Sequence, residues 1–224
     1  GAGLGVRGHV TAYSLDTGRF RWRYYSMGPN NEVGIGSRFD PFYPDDRIPD
    51  PALDSWFGDS WRRGGGSVWG WFTFDPELNL FYYGTSNCSP WNPDYRREWG
   101  VVELDEDGGL TGYRNNYCSS ILARDADSGD LLFRSRYEGA YGNAVSISND
   151  GRKLFSGGSA YPDGNSWDNS LIHVNDAWTG ELLDSYLLSG RADSGSMAET
   201  PNGNLVVVTS SQLYLIDLAN QSII

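Results

Sequence analysis

The chain has 224 residues, of which 29 are glycine, 10 are proline and 14% are aromatic, and this composition favours many short strands joined by tight turns. Its net charge of −12 would repel a phosphate backbone, which argues against nucleic acid as a partner. No run of about 18 apolar residues is present that could span a membrane.

The first residues read Gly-Ala-Gly-Leu-Gly, which is neither an initiator methionine nor a signal peptide with charged and apolar regions. The last residues fall inside a repeat, before the position at which its aromatic residue is expected. We therefore expect residues 1–224 to form one partial domain that is truncated at both ends.

Two repeating elements run along the chain. The first is Ala-x-Asp-x-x-Thr-Gly-x-x-x-Trp, a strand followed by a turn and an aromatic residue, and the second is a pair of apolar strands around a turn. Copies of the first element occupy 12–22, 123–133 and 174–184, and a last copy begins at Leu215. Copies of the second occupy 72–87, 144–160 and 199–211.

Both elements repeat with one period. Gly151 and Gly203 lie 52 residues apart, and Gly129 and Gly180 lie 51 apart. A period near fifty built only of strands and turns indicates β-propeller blades of four strands each. The sequence therefore predicts an all-β propeller fold with about four blades or part-blades, in which the stretches 23–61 and 88–116 are long excursions between strands.

The two cysteines, Cys88 and Cys118, belong to no CxxC motif and no cysteine–histidine cluster, so the sequence contains no zinc-site pattern. They could form one disulfide in an oxidising compartment or remain two buried thiols. The sequence leaves both alternatives open.

Three stretches together resemble the pyrroloquinoline quinone (PQQ) dependent alcohol and methanol dehydrogenases. The first is Gly1–Trp22, with its GVRG segment. The second is Trp56–Asn92, which contains WFGDSW, GGGSVWGW, DPELNLFYYG and PWN, and the third is Ser119–Gly129. The resemblance implies that the chain is an internal part of an eight-bladed quinoprotein propeller. It also implies PQQ as cofactor, with Ca²⁺ as the cation beside it.

The resemblance assigns roles by motif position, each with a structural alternative. Trp69 matches the indole on which the quinone stacks, although propeller tryptophans also pack blades together. Ser67 matches a hydroxyl group that binds the cofactor, and a solvated turn serine is the alternative. Asn87 matches a calcium ligand, and an asparagine that caps a strand end is the alternative. Gly1 and Ala2 match backbone positions beside the PQQ carboxylates.

The chain also departs from the family pattern. The calcium-binding glutamate of the family follows Gly-Ala, and Gly3 stands there instead, so we expect weakened Ca²⁺ binding because charge count sets affinity at such sites. The stretch that holds the catalytic aspartate of the family has no aspartate here, and we assign no catalytic residue. A Trp167–Asp168 pair imitates that motif one blade later and stays unassigned.

These features predict part of a PQQ-dependent oxidoreductase that transfers hydride from a primary alcohol to PQQ, and that is inactive as the isolated chain. The resemblance further implies a cytochrome c-type electron acceptor and a periplasmic or other extracytoplasmic location. The main alternative is a propeller that has lost the catalytic residues and serves as a scaffold or interaction module. A third possibility is a carbohydrate-binding propeller that uses exposed tryptophans.

Overall fold

The structure is a computed structural model, and it describes residues 5–89, 94–95, 102–104, 110–112, 115–136, 141–160 and 168–224. Its regular elements are almost entirely strands. The strands are β1 (His9–Tyr13), β2 (Phe20–Tyr25), β3 (Val68–Asp75), β4 (Leu80–Thr85), β5 (Val102–Leu104), β6 (Leu110–Gly112), β7 (Ser120–Asp125), β8 (Leu131–Arg136), β9 (Tyr141–Ile147), β10 (Lys153–Ala160), β11 (Asn169–Asp176), β12 (Leu182–Ser189), β13 (Ala192–Glu199), β14 (Asn204–Thr209), β15 (Leu213–Asp217) and β16 (Ser222–Ile223). One short helix, α1 (Asn30–Val33), and two 3-10 turns, Pro44–Asp46 and Ser60–Arg63, lie in the first excursion.

The strands form three antiparallel sheets of four strands, with the orders β3-β4-β7-β8, β9-β10-β11-β12 and β13-β14-β15-β16. Strands β1 and β2 pair as a further two-stranded sheet. The first strands of the three large sheets converge, because β9 contacts both β3 and β13. This arrangement confirms the predicted all-β propeller fold, and it confirms the hairpin turns at 149–151 and 201–203 that join β9 to β10 and β13 to β14.

The first excursion begins after Tyr25, later than the predicted residue 23, because residues 23–25 belong to β2, and much of the predicted second excursion lies outside the described residues. The stretch after β2 holds α1 and the two 3-10 turns, and it packs Val33 and Ala52 against the buried side chains of the sheet β3-β4-β7-β8. Strands β5 and β6 form a small separate hairpin within the second excursion.

The repeat motif has a packing explanation. The aromatic residue at the end of one copy lies against the glycine of the next copy, so that a Cβ on Gly129 would come within 2.5 Å of Trp22 and one on Gly180 within 2.6 Å of Phe133. Both glycines have a φ of 77°, which glycine adopts at little cost. Each aromatic residue thereby links adjacent sheets.

The hydrophobic core is divided into layers between the sheets. Phe155, Ile172, Leu205 and Val207 share one buried cluster between the sheets of β9–β12 and β13–β16. A second cluster, with Tyr82 among its members, lies between the sheets of β3–β8 and β9–β12. These two clusters hold the three four-stranded sheets against one another.

Candidate functional site

The glycine loop, residues 64–66, is held between two segments that are distant in sequence. On one side Gly8 donates its N–H to the carbonyl of the middle glycine at 2.9 Å, and on the other the last glycine donates to the Asn87 carbonyl at 3.0 Å. The three φ angles are 98°, 100° and 54°, in a region that residues other than glycine rarely adopt. A Cβ on the middle glycine would also lie 2.5 Å from the backbone nitrogen of Ser89. The fold therefore requires glycine at these positions.

This loop gathers the predicted site residues at one end of the β3–β4 hairpin. Ser67 follows the loop directly, and its carbonyl accepts a hydrogen bond from Ser86 N–H at 2.9 Å. Trp69 pairs with Gly84 across the hairpin. Asn87 lies two residues beyond the end of β4 and contacts the loop through its own carbonyl. The structure thus brings Ser67, Trp69 and Asn87 into one short stretch of the ladder.

Strand alternation places only Trp69 among these residues, because Ser67 precedes the start of β3 at Val68. Asn87 is not bound by this alternation, since β4 ends at Thr85 and the opposite residues belong to the glycine loop. Whether the indole of Trp69 and the amide of Asn87 face one hollow therefore stays a prediction.

Trp69 exposes 55% of its surface, so more than half of this side chain's surface is available to a ligand. Gly70, the next residue, has a φ of 92°, and the register between β3 and β4 shifts between Trp69 and Thr73. Strand β3 presents further exposed rings, of which Trp71, inside this irregularity, is the most exposed at 69%.

The side chains of Ser67 and Asn87 are both half-buried. No hydrogen bond joins the Asn87 amide or the Ser67 hydroxyl to a residue within the described ranges. The capping role that was the alternative for Asn87 is therefore not seen in the described part of the chain. An amide oxygen and a hydroxyl group remain open for a ligand.

Gly1, Ala2 and Gly3 lie outside the described residues, as does Trp167. Asp168 is described, is exposed, and accepts a backbone hydrogen bond from Gly190 at 2.5 Å. The structure thus provides no site geometry for the positions that match the PQQ carboxylates and the family glutamate.

Sequence reasoning missed the structural role of Arg7, in the GVRG segment. Its guanidinium lies 3.8 Å from the ring centre of Tyr25 and 4.7 Å from that of Trp61, and it pairs with Glu32 at 2.5 Å. These contacts fasten the segment before β1 to the first excursion. The arginine between the glycines of the GVRG segment could have indicated such an anchor, because one arginine can stack on an aromatic ring and pair with a carboxylate at the same time.

Cys88 and Cys118 form a disulfide with a Cα–Cα distance of 5.4 Å, and this decides between the two alternatives left by the sequence. The bond ties the residue after Asn87 to a buried segment on the far side of the second excursion. In that segment the carbonyl of Asn116 accepts a hydrogen bond from the indole N–H of Trp56 at 2.6 Å. The disulfide therefore braces the region that carries Asn87.

A buried ion pair holds the first excursion to β8. Arg134 donates two hydrogen bonds to the carboxylate of Asp46, at 2.5 and 2.7 Å, and both side chains are almost fully buried. Burial, and then the charge of Asp46, raise the pKa of the neighbouring Tyr117 phenol above its ordinary value of 10.0, so this phenol stays neutral. These groups join the first excursion to the sheet β3-β4-β7-β8.

The described residues supply a poor site for a divalent cation by themselves. They contain no group of three histidine, cysteine, aspartate or glutamate side chains that could hold a metal. Calcium takes six to eight oxygen ligands, and Asn87 offers one neutral oxygen. A planar aromatic cofactor fits better, since the exposed indole of Trp69 offers a flat face beside the Ser67 hydroxyl.

Comparison with known proteins finds no matching family model. Methanol dehydrogenase [cytochrome c] subunit 1 of Paracoccus denitrificans is 38% identical over 133 residues, which cover 59% of this chain and 19% of that protein. The lanthanide-dependent methanol dehydrogenase of Methylacidiphilum fumariolicum (strain SolV) is 40% identical over 129 residues, 58% of this chain and 19% of that protein. The chain thus spans about a fifth of the length of these curated relatives.

Solved structures agree on the fold. A europium-containing methanol dehydrogenase matches with a TM-score of 0.68 and 24% identity, covering 93% of this chain and 41% of that one. The quinohemoprotein alcohol dehydrogenase from Comamonas testosteroni matches with a TM-score of 0.58 and 22% identity, covering 92% of this chain and 34% of that one. The propeller fold and the relatives that align over 59% of its length show that the chain is similar to a segment of the PQQ-dependent alcohol dehydrogenases.

Proposed function

We propose that the chain forms part of the cofactor site of a PQQ-dependent oxidoreductase that acts on a primary alcohol. Trp69 would provide the stacking face, Ser67 a hydroxyl group, and the backbone at Gly1 and Ala2 contacts for the carboxylates. The observation that carries the proposal is an exposed indole at the glycine loop, near an amide and a hydroxyl that make no hydrogen bond within the described residues.

A cation would be held only in part by this chain. Asn87 supplies one neutral oxygen, and Gly3 removes the carboxylate that the family places two residues after its glycine. We expect a Ca²⁺ dissociation constant on the order of 1 mM, since the affinity of such sites rises with the number of charged ligands. When bound, PQQ supplies the hydride acceptor, and no described residue is assigned as the base that would take the alcohol proton.

Partner and location follow from chemistry and from the relatives. One relative's name specifies cytochrome c as acceptor, and a cytochrome c-type acceptor is proposed here as well. An extracytoplasmic, periplasmic location is supported by the Cys88–Cys118 disulfide, because such bonds persist in oxidising compartments. Among the described residues no helix is long and apolar enough to cross a membrane.

The test is equilibrium binding of PQQ to the full chain, measured by the absorbance of the quinone with and without about 5 mM Ca²⁺, a concentration several times the expected dissociation constant. We expect saturable binding that Trp69→Ala weakens about tenfold through loss of the stacking face. Trp71→Ala is the matched control, because it removes a more exposed tryptophan from the same strand. Gly3→Glu should lower the Ca²⁺ concentration needed, because it restores a charged ligand.

Three outcomes would contradict the proposal. Absence of PQQ binding would favour the scaffold alternative, and equal losses in the Trp69 and Trp71 variants would contradict the assignment of the stacking residue. Turnover of an alcohol with a redox dye by the isolated chain would contradict the expectation that this chain lacks the catalytic base.

A further inference from the structure

A cavity of about 370 Å³ lies on the outer rim of the propeller. Its volume is in the range of small-molecule sites. It is formed where the first excursion and the turn between β11 and β12 meet β8, the outermost strand of its sheet. The residues that matter for its chemistry are Arg38, Asp40, Phe42, Arg47, Phe133 and Trp178.

Two opposite charges share this cavity without pairing. Arg47 uses its Nε to donate to the Pro41 carbonyl at 3.1 Å, which leaves its terminal nitrogens open. Asp40 donates its backbone N–H to Leu132 O at 2.9 Å, while its carboxylate bonds to no residue of the described ranges. The cavity therefore offers one charged hydrogen-bond donor group and one charged acceptor group.

An aromatic wall stands beside these groups. Trp178 is 60% exposed, yet its backbone N–H is fixed by Asp176 Oδ1 at 2.9 Å, so the turn that carries the indole is held in place. Phe42 is 37% exposed, and Phe133 closes the floor from the buried side. An indole that is exposed on a constrained turn is pre-organised to stack on a ligand ring.

The charges exclude most alternatives to a neutral ligand. An anion would meet Asp40 in a chain of net charge −12, and Arg38 cannot compensate because it is paired with Asp125 at 2.9 Å. A cation would meet the guanidinium group of Arg47 beside the single carboxylate of Asp40. A neutral ring with several hydroxyl groups avoids both conflicts, since a hydroxyl donates to Asp40 and another accepts from Arg47.

We propose that this rim pocket binds a neutral sugar, with one apolar ring face on Trp178 and its hydroxyl groups between Asp40 and Arg47. The pocket shares no residue with the candidate PQQ site, and it lies on β8, at the opposite edge of the sheet from β3. It therefore does not depend on the proposed oxidoreductase function.

The test is saturation-transfer-difference NMR on the full chain with glucose, galactose, mannose, xylose and N-acetylglucosamine as probes. This method observes the sugar protons, so removing a tryptophan does not remove the reporter. We expect at least one sugar to bind saturably with a dissociation constant on the order of 1 mM, as suits an open cleft with few buried contacts. Benzoate and tyrosine serve as anionic and zwitterionic comparison ligands.

Variants then locate the site. Trp178→Ala should abolish the signal, Trp178→Phe should retain it, and Asp40→Asn should weaken binding about tenfold through loss of a charged acceptor. Trp71→Ala, which removes an exposed tryptophan from β3, should leave binding unchanged. The proposal is overturned if no sugar in the panel binds, if Trp178→Ala binds like the unaltered chain while its NMR spectrum remains dispersed, or if benzoate or tyrosine binds more tightly than every sugar.

Discussion

The disulfide between Cys88 and Cys118 makes a quantitative prediction about stability. The two residues are 30 positions apart in the sequence, so the bond closes a loop of that length in the unfolded chain. The loop-closure entropy that the bond removes from the unfolded state corresponds to about 3.6 kcal/mol at 25 °C. Reduction, or the double variant Cys88→Ser with Cys118→Ser, should lower the free energy of unfolding by about that amount.

Urea unfolding followed by tryptophan fluorescence measures the effect. With a slope of about 3 kcal/mol per molar urea for a chain of this size, the unfolding midpoint should fall by about 1.2 M. The double variant also serves as the control for the reductant. Dithiothreitol should lower the unfolding midpoint of the unaltered chain and leave the midpoint of the variant unchanged. A midpoint that reduction does not change would refute the inference that the disulfide constrains the unfolded chain.

Two further predictions concern charged groups in the scaffold. Arg134→Leu leaves the buried carboxylate of Asp46 without its partner. We therefore expect the free energy of unfolding, measured in urea, to fall by about 3–5 kcal/mol, and adding Asp46→Asn should restore part of this loss. Burial alone would raise the pKa of Asp125, but hydrogen bonds from the Ser128 N–H and from Arg38 outweigh it and hold that pKa below 3.8. A carboxyl group with a lowered folded-state pKa stabilises the fold above its unfolded pKa, so stability should fall as the pH drops from about 4 through the folded-state value. In thermal melts between pH 5 and about 2.5, the melting temperature of Arg38→Gln should fall less with acid than that of the unaltered chain. Equal falls in the two chains would contradict the role of the Arg38–Asp125 pair.

The fold could be predicted from the sequence because its repeat is a packing rule. The glycine of one copy makes room for the aromatic residue of the copy before it, as Gly129 does for Trp22. The rule weakens in the last two copies: Asp184 stands where the third copy should have its aromatic residue, and Gln221 adopts a φ of 51° at the position that glycine holds in the earlier copies. Turns and aromatic residues are local sequence signals, so the repeat can be recognised even in copies where some of its positions are substituted.

The candidate site could be predicted only in part. The motifs named Trp69, Ser67 and Asn87, and the structure brings these residues to one end of a hairpin. The disulfide partner of Cys88 could not be predicted, because it depends on how an excursion folds back and no local pattern encodes that path. The unpaired Asp40 and Arg47 of the rim pocket were missed for the same reason.

The glycine loop gives no information on whether the chain binds a cofactor. Its left-handed backbone and its contact with Ser89 require glycine for the fold itself, so a pure scaffold would retain it. The discriminating residues are those whose side chains keep exposed surface after the blades have packed. Trp69 leaves 55% of its surface exposed, at a place where burying an indole on a ligand face would be favourable. The case for a quinone site therefore depends on that exposed ring, and a quinone that bound equally well without it would leave only the fold in common with the dehydrogenases.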